Sequence, residues 1–93
     1  MYKGVNGMAE SRVIEKQSRD GDTIKCEVFE EYGSPFGDSK WQYRLTKTAW
    51  NGREPKYDLR QWSPDGQKYS KGLTFTDSEL YDLLSAIEDA LGC

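Results

Sequence analysis

Turn signals cut most of this chain into pieces too short for anything but strands. Between Ile24 and Phe75 the runs YGSPFGDS, NG followed by REP, and SPDG place glycine, proline, asparagine and aspartate where the backbone must reverse. The segments between them alternate. IKCEVFEEY, Ile24 to Tyr32, carries Ile24, Cys26 and Val28 on one phase and then slips to Phe29 and Tyr32, which predicts a strand with a bulge. KWQYRLTKTAW (Lys40 to Trp50), KYDLRQW (Lys56 to Trp62) and KGLTF (Lys71 to Phe75) favour aromatic and β-branched residues at period two and predict three more strands. YGSPFGDS is expected to be a loop, and Gly52 to take positive φ in the turn after Trp50.

A helix follows the strands. Thr76 and Glu79 in TDSE suit a capping box, Leu80, Leu83, Leu84, Ile87 and Leu91 recur as one apolar stripe, and Gly92 is placed to end it. Four antiparallel strands and one helix, ββββα, make an α+β domain over residues 24–93, with the helix across one face of the sheet and the other face uncovered. Residues 1–23 are polar and glycine-punctuated and are expected to form a mobile tail. A competing pairing joins RVIEK to TIKCEV around RDGD as an extra hairpin. Met8 before AES resembles a second start, so the first seven residues are expected to be either an upstream extension or an artificial addition.

Composition removes whole classes of function. With 93 residues there is material for one domain and one modest core, so a partner copy would add stability. No apolar run approaches the ~20 residues that cross a bilayer, and the N-terminal segment lacks the apolar centre of a secretory signal, so the expected location is the cytoplasm. Cys26 and Cys93 match no metal-ligand spacing and are expected as free thiols. The absence of histidine takes away the commonest general base and the commonest nitrogen ligand for zinc. Glu54, Asp58 and Asp65 sit among basic and turn residues and read as solvated or salt-bridged carboxylates. No catalytic residue, metal or cofactor is expected.

The net charge of −3 hides a division along the chain. Residues 1–39 carry five bases and eight acids, residues 40–72 eight bases and three acids, and residues 73–93 five acids and no base. The middle is a basic island, and because screening limits each charge to roughly 8 Å at physiological salt, it can attract phosphates that the whole molecule repels. Within this island alternation sorts the side chains. Leu45, Leu59, Leu73 and Phe75 are expected to face the helix, while Arg44, Thr46, Thr48 and Trp50 share the opposite face with Lys56, Arg60 and Trp62. Rings beside cations suit a single nucleic-acid strand, whose bases stack at ~1–3 kcal/mol each while cations follow its phosphates.

The stretch from Trp50 to Leu84, WNGREPKYDLRQWSPDGQKYSKGLTFTDSELYDLL, resembles the transcriptional positive cofactor 4 family, the single-stranded-DNA-binding coactivator domain, and within it the small bacterial YdbC-like branch. The marks are an aromatic before NG, the YDLRQW strand, the PDG turn, KG before an alternating apolar pair, and an acidic helix start. The resemblance implies a curved four-stranded antiparallel sheet with one helix, paired as a homodimer. It implies sequence-tolerant binding of single-stranded DNA in transcription regulation or DNA maintenance, with the transcription machinery as a possible partner. Position by position it assigns base stacking to Trp50, a basic contact to Arg53, the strand arginine to Arg60, the following tryptophan to Trp62, and the basic residues before the last strand to Lys68 and Lys71. The Ser- and Lys-rich tail of the eukaryotic members has no counterpart here.

Two partners thus compete for the aromatic face, a single-stranded DNA (or RNA) and another protein. On the helix, Leu80, Leu84, Ile87 and Leu91 are expected at a homodimer interface.

Overall fold

The computed structural model describes residues 11–17 and 21–92. Five strands and one helix follow in order: β1 (Arg12–Gln17), β2 (Thr23–Phe36), β3 (Gln42–Trp50), β4 (Lys56–Trp62), β5 (Tyr69–Phe75) and α1 (Asp77–Leu91). The strands form one antiparallel sheet in sequence order. The α+β class is as expected, but the strand count is five rather than four, because Arg12 to Gln17 pairs with Val28 to Thr23. Residues 1–10 and 18–20 of the tail expected from the sequence lie outside the described residues, as does Cys93.

Local chemistry explains the joints. Asn51 and Gly52 both adopt left-handed backbone, φ 53° and 75°, the pair that matches the twist of a tight hairpin. Asn51 also ties the turn to β2, its N–H donating to the Lys25 carbonyl at 2.7 Å and its Oδ1 accepting from the Lys25 N–H at 2.9 Å. The capping box of α1 is complete: Thr76 Oγ1 accepts from the Glu79 N–H at 3.2 Å, Glu79 Oε1 accepts from the Thr76 N–H at 2.9 Å, and left-handed Gly92 closes the other end.

Two irregularities shape β2. Pairing with β3 skips from Val28 to Glu30, so Phe29 has no cross-strand partner and the strand changes phase. Upstream of the skip Cys26 and Val28 face one side; downstream Tyr32 faces the other and packs on Tyr57 with ring centres 5.9 Å apart. The second irregularity lies between Tyr32 and Phe36. It falls in the run expected to be a loop, most of which instead extends β2, so that Phe36 pairs with Tyr43 and their rings stack at 5.5 Å.

The sheet curls strongly. Arg12 of β1 lies over the Trp62 ring of β4, and Lys16 of β1 lies over the Tyr69 ring of β5, although two or three strands separate them in the sheet. The concave side is filled by Ile14, Cys26, Val28 and Trp62, with Trp50 and Tyr69 packed against them. The helix lies on the convex side against β4 and β5, facing the leucine row Leu45, Leu59 and Leu73, which pair directly across three strands. The alternation therefore assigns the faces as expected, but the face away from the helix is not open. Curvature folds it onto itself.

Candidate nucleic-acid interface

The concave face is organised around a carboxylate. Asp58 of β4 is fully buried and accepts a hydrogen bond from the Trp50 indole N–H at 3.0 Å and two from the Arg60 guanidinium, at 2.6 Å to Oδ1 and 2.7 Å to Oδ2. Such a two-pronged pair is strong and directional. Arg60 then lies flat, its Cζ 4.5 Å from the centre of the Trp50 ring, and its Nη1 donates to the Ser70 carbonyl at 3.3 Å. Gly72 makes this course across β5 feasible, since a Cβ there would collide with the Arg60 side chain and the Leu59 carbonyl. Thr46 and Thr48 bury their hydroxyls beside Asp58, bonded to each other at 2.8 Å.

Around this centre runs a row of rings. Tyr69 meets Trp50 edge-on at 5.2 Å and Trp62 at the same distance on its other side. Burial raises the Tyr69 hydroxyl above its ordinary pKa, with the nearby Cys26 thiol adding to the effect; burial likewise pushes Cys26 up to about 11. Cys26 is a free, fully buried thiol. The Tyr69 hydroxyl and the Trp62 indole N–H have no hydrogen-bond partner among the described residues.

The residues expected from the sequence take unequal places. Trp50 is half-buried with its orientation fixed, and Arg60 packs on it. Arg44 stands directly opposite Arg60 across β3 and β4; Asp58 neutralises one of the two, and Glu31 approaches the other at 3.8 Å. Arg53 and Lys56 are exposed on and just after the β3–β4 turn that follows Trp50, and Lys68 and Lys71 are exposed along the approach to β5 and on that edge strand. Trp62 departs from the expectation of a displayed ring. Only 1% of it is exposed, because β1 closes over it with Ile14 and Arg12. A side chain in that position holds the sheet's curl.

Some members of the site were not picked out from the sequence. Asp58 lies between Lys56 and Arg60 on the same alternation phase as Trp50, which was the available signal for a buried counter-ion. Tyr69 sits two residues before the expected start of β5, and Arg12 and Lys16 flank Ile14 in an alternation of only three residues.

On the convex side the helix leaves a groove of about 510 Å³ floored by Leu45, Leu59 and Phe75. No residue of α1 is buried; Leu80 is half-buried, while Leu84, Ile87 and Leu91 are 50%, 45% and 74% exposed.

The family model for Transcriptional Coactivator p15 (PC4) matches residues 38–86. That stretch contains Trp50, Asp58, Arg60, Trp62 and Tyr69 and leaves out β1 and β2. An uncharacterized protein of Treponema pallidum (strain Nichols) is 40% identical over 70 residues, covering 71% of this chain and 82% of the relative. The matched stretch holds the Trp50–Asp58–Arg60 centre and over half of the sequence: the chain belongs to the Transcriptional Coactivator p15 (PC4) family.

Proposed function

We propose that the protein binds single-stranded DNA with little sequence preference, as a homodimer, in transcription regulation or DNA maintenance. The observation that carries this is Trp50, a half-buried ring locked by Asp58 and packed on Arg60, with the exposed cations Arg53 and Lys56 in the turn and strand start that follow it. A ring held in place stacks on a base without losing freedom on binding, and flexible cations at its edge follow the phosphates without reading sequence. DNA is preferred to RNA on the strength of the family.

The homodimer rests on the convex face. An amphipathic helix with no buried residue gains little from its own sheet, and most helix stability in proteins comes from packing of the apolar face. A second copy presenting Leu84, Ile87 and Leu91 would cover it.

Titration of labelled oligo-dT, oligo-rU and a duplex at several salt concentrations tests this function. The expected result is tightest binding to oligo-dT, with a log–log salt slope of about −0.7 for each phosphate neutralised, and quenching of tryptophan fluorescence. Trp50→Ala is expected to weaken binding by about 1–3 kcal/mol. Binding that ignores salt, or an unchanged affinity in Trp50→Ala, would favour a protein partner for this face.

A further inference from the structure

We propose that Arg12 of β1 and Arg44 of β3 together hold a backbone phosphate at the β4–β5 turn, making the N-terminal hairpin part of the nucleic-acid site. This rests on the single-strand function proposed above and extends it to a strand outside the stretch that the family model matches.

The two guanidinium groups converge on Gly66. A Cβ built on that glycine would lie 2.7 Å from Arg12 Nη1 and 3.5 Å from Arg44 Nη1. Two like charges so close repel each other unless an anion lies between or beside them. The available carboxylates answer this poorly. Glu31 reaches Arg44 only at 3.8 Å, with no hydrogen bond, and Arg44 Nε is buried without a partner among the described residues. Among those residues Arg12 has no carboxylate within 4.0 Å and rests on the Trp62 ring, its Cζ 5.5 Å from the ring centre. Asp65, the acid of the same turn, is occupied elsewhere: it accepts from Ser63 Oγ at 2.6 Å and from the Gln67 N–H at 3.0 Å, and these bonds lower its pKa.

Arginine donors in a fixed plane match the paired oxygens of a phosphodiester better than any neutral ligand. Their position also suits a strand. Arg60 lies over Trp50 at one end of the ring row, Tyr69 bridges, and Arg12 lies over Trp62 at the other end, so cations flank the aromatic row on both sides. At the Trp50 end Asp58 already neutralises Arg60. At the Trp62 end Glu31 approaches Arg44 only at 3.8 Å, and Arg12 has no carboxylate within 4.0 Å among the described residues.

The test uses the full 93-residue chain and labelled oligo-dT over a salt series. Arg12→Gln is expected to weaken binding several-fold and to flatten the salt slope by about 0.7, the value for one lost phosphate contact, equally for oligo-dT and oligo-dA. Arg12→Lys, which keeps the charge, should keep the slope. Gly66→Asp provides the independent variant: aspartate enters left-handed backbone more readily than most residues, and although its Cβ must displace the Arg12 head, 2.7 Å away, it sets a carboxylate beside both arginines. It is expected to weaken binding and flatten the salt slope in a chain that circular dichroism shows to be folded, whereas Gly66→Ala, with the same backbone strain and the same Cβ but no carboxylate, should bind more tightly than Gly66→Asp. Wild-type binding with unchanged affinity and slope in Gly66→Asp, or in a folded Arg12→Gln, overturns the phosphate site and leaves the single-strand function standing. If the wild-type chain itself ignores oligo-dT, the function proposed above falls and takes this site with it.

Discussion

The two faces of the sheet reverse the usual division between inside and outside. The concave face carries threonines, arginines, a carboxylate and tryptophans, yet it holds most of the buried core. The convex face carries the leucine row and the apolar helix, yet Leu73 is 62% exposed and a groove remains beneath α1. Polarity alone would have placed the core under the helix. Curvature decides otherwise, because a sheet that brings β1 over β4 and β5 encloses whatever points inward, and the group most costly to enclose, an ionised carboxylate, must then find partners. Asp58, with its three donors, meets that condition.

The contrast is most directly broken from the concave side. Asp58→Ala leaves the Arg60 guanidinium without its counter-ion in a closed space, and Trp62→Ala opens a cavity in the core; each is expected to lower the unfolding free energy by about 3–5 kcal/mol. Urea denaturation followed by circular dichroism measures this, and a loss under 1 kcal/mol for either variant would mean that the curl does not depend on them.

On the convex side the expected effect is smaller for the protomer and appears in its assembly. Ile87→Asp puts a charge on a residue 45% exposed, so the protomer should remain folded while a wild-type dimer becomes a monomer in sedimentation at micromolar concentration. A wild-type monomer at that concentration would remove the dimer.

The smallest effect is a pH dependence that sharpens the same comparison. Cys26 on the concave side titrates near 11 when folded and near 9.0 when exposed, so the folded state keeps its proton longer. The resulting stability is fully present below about pH 9 and is lost as pH rises toward about 11. Tyr32, raised by burial and its bond to Glu30, and Tyr69, raised by burial, act in the same direction. Cys26→Ala should remove part of the alkaline slope in a denaturation series from pH 8 to pH 11. An identical slope in the variant would show that the thiol is not held protonated by the fold.

What the sequence revealed was mostly local. The Asn51–Gly52 turn, the Thr76–Glu79 box and the alternation that puts Trp50 and Arg60 on one face each depend on neighbours a few residues away, and each has a distinct residue pattern. The curl does not. It arises from the unpaired Phe29, from a six-residue β1 whose only buried side chain is Ile14, and from contacts between strands far apart in the sheet. Trp62 therefore looked like a platform, since its alternation phase is the same whether that face is open or closed. The cations were legible as a group, but which of them is already neutralised depended on finding Asp58 buried.

The skipped residue in β2 has a consequence for chain length rather than for chemistry. Phe29 is partly exposed and pairs with nothing across the sheet, so its ring is replaceable; its place in the count is not. Removing it would turn Glu31 and Tyr32 to each other's sides, sending a ring of the leucine face into the concave core and a carboxylate onto the helix groove. A position that accepts many substitutions but no deletion keeps one strand in service to both surfaces: its first half closes the ring row, and its second half walls the groove.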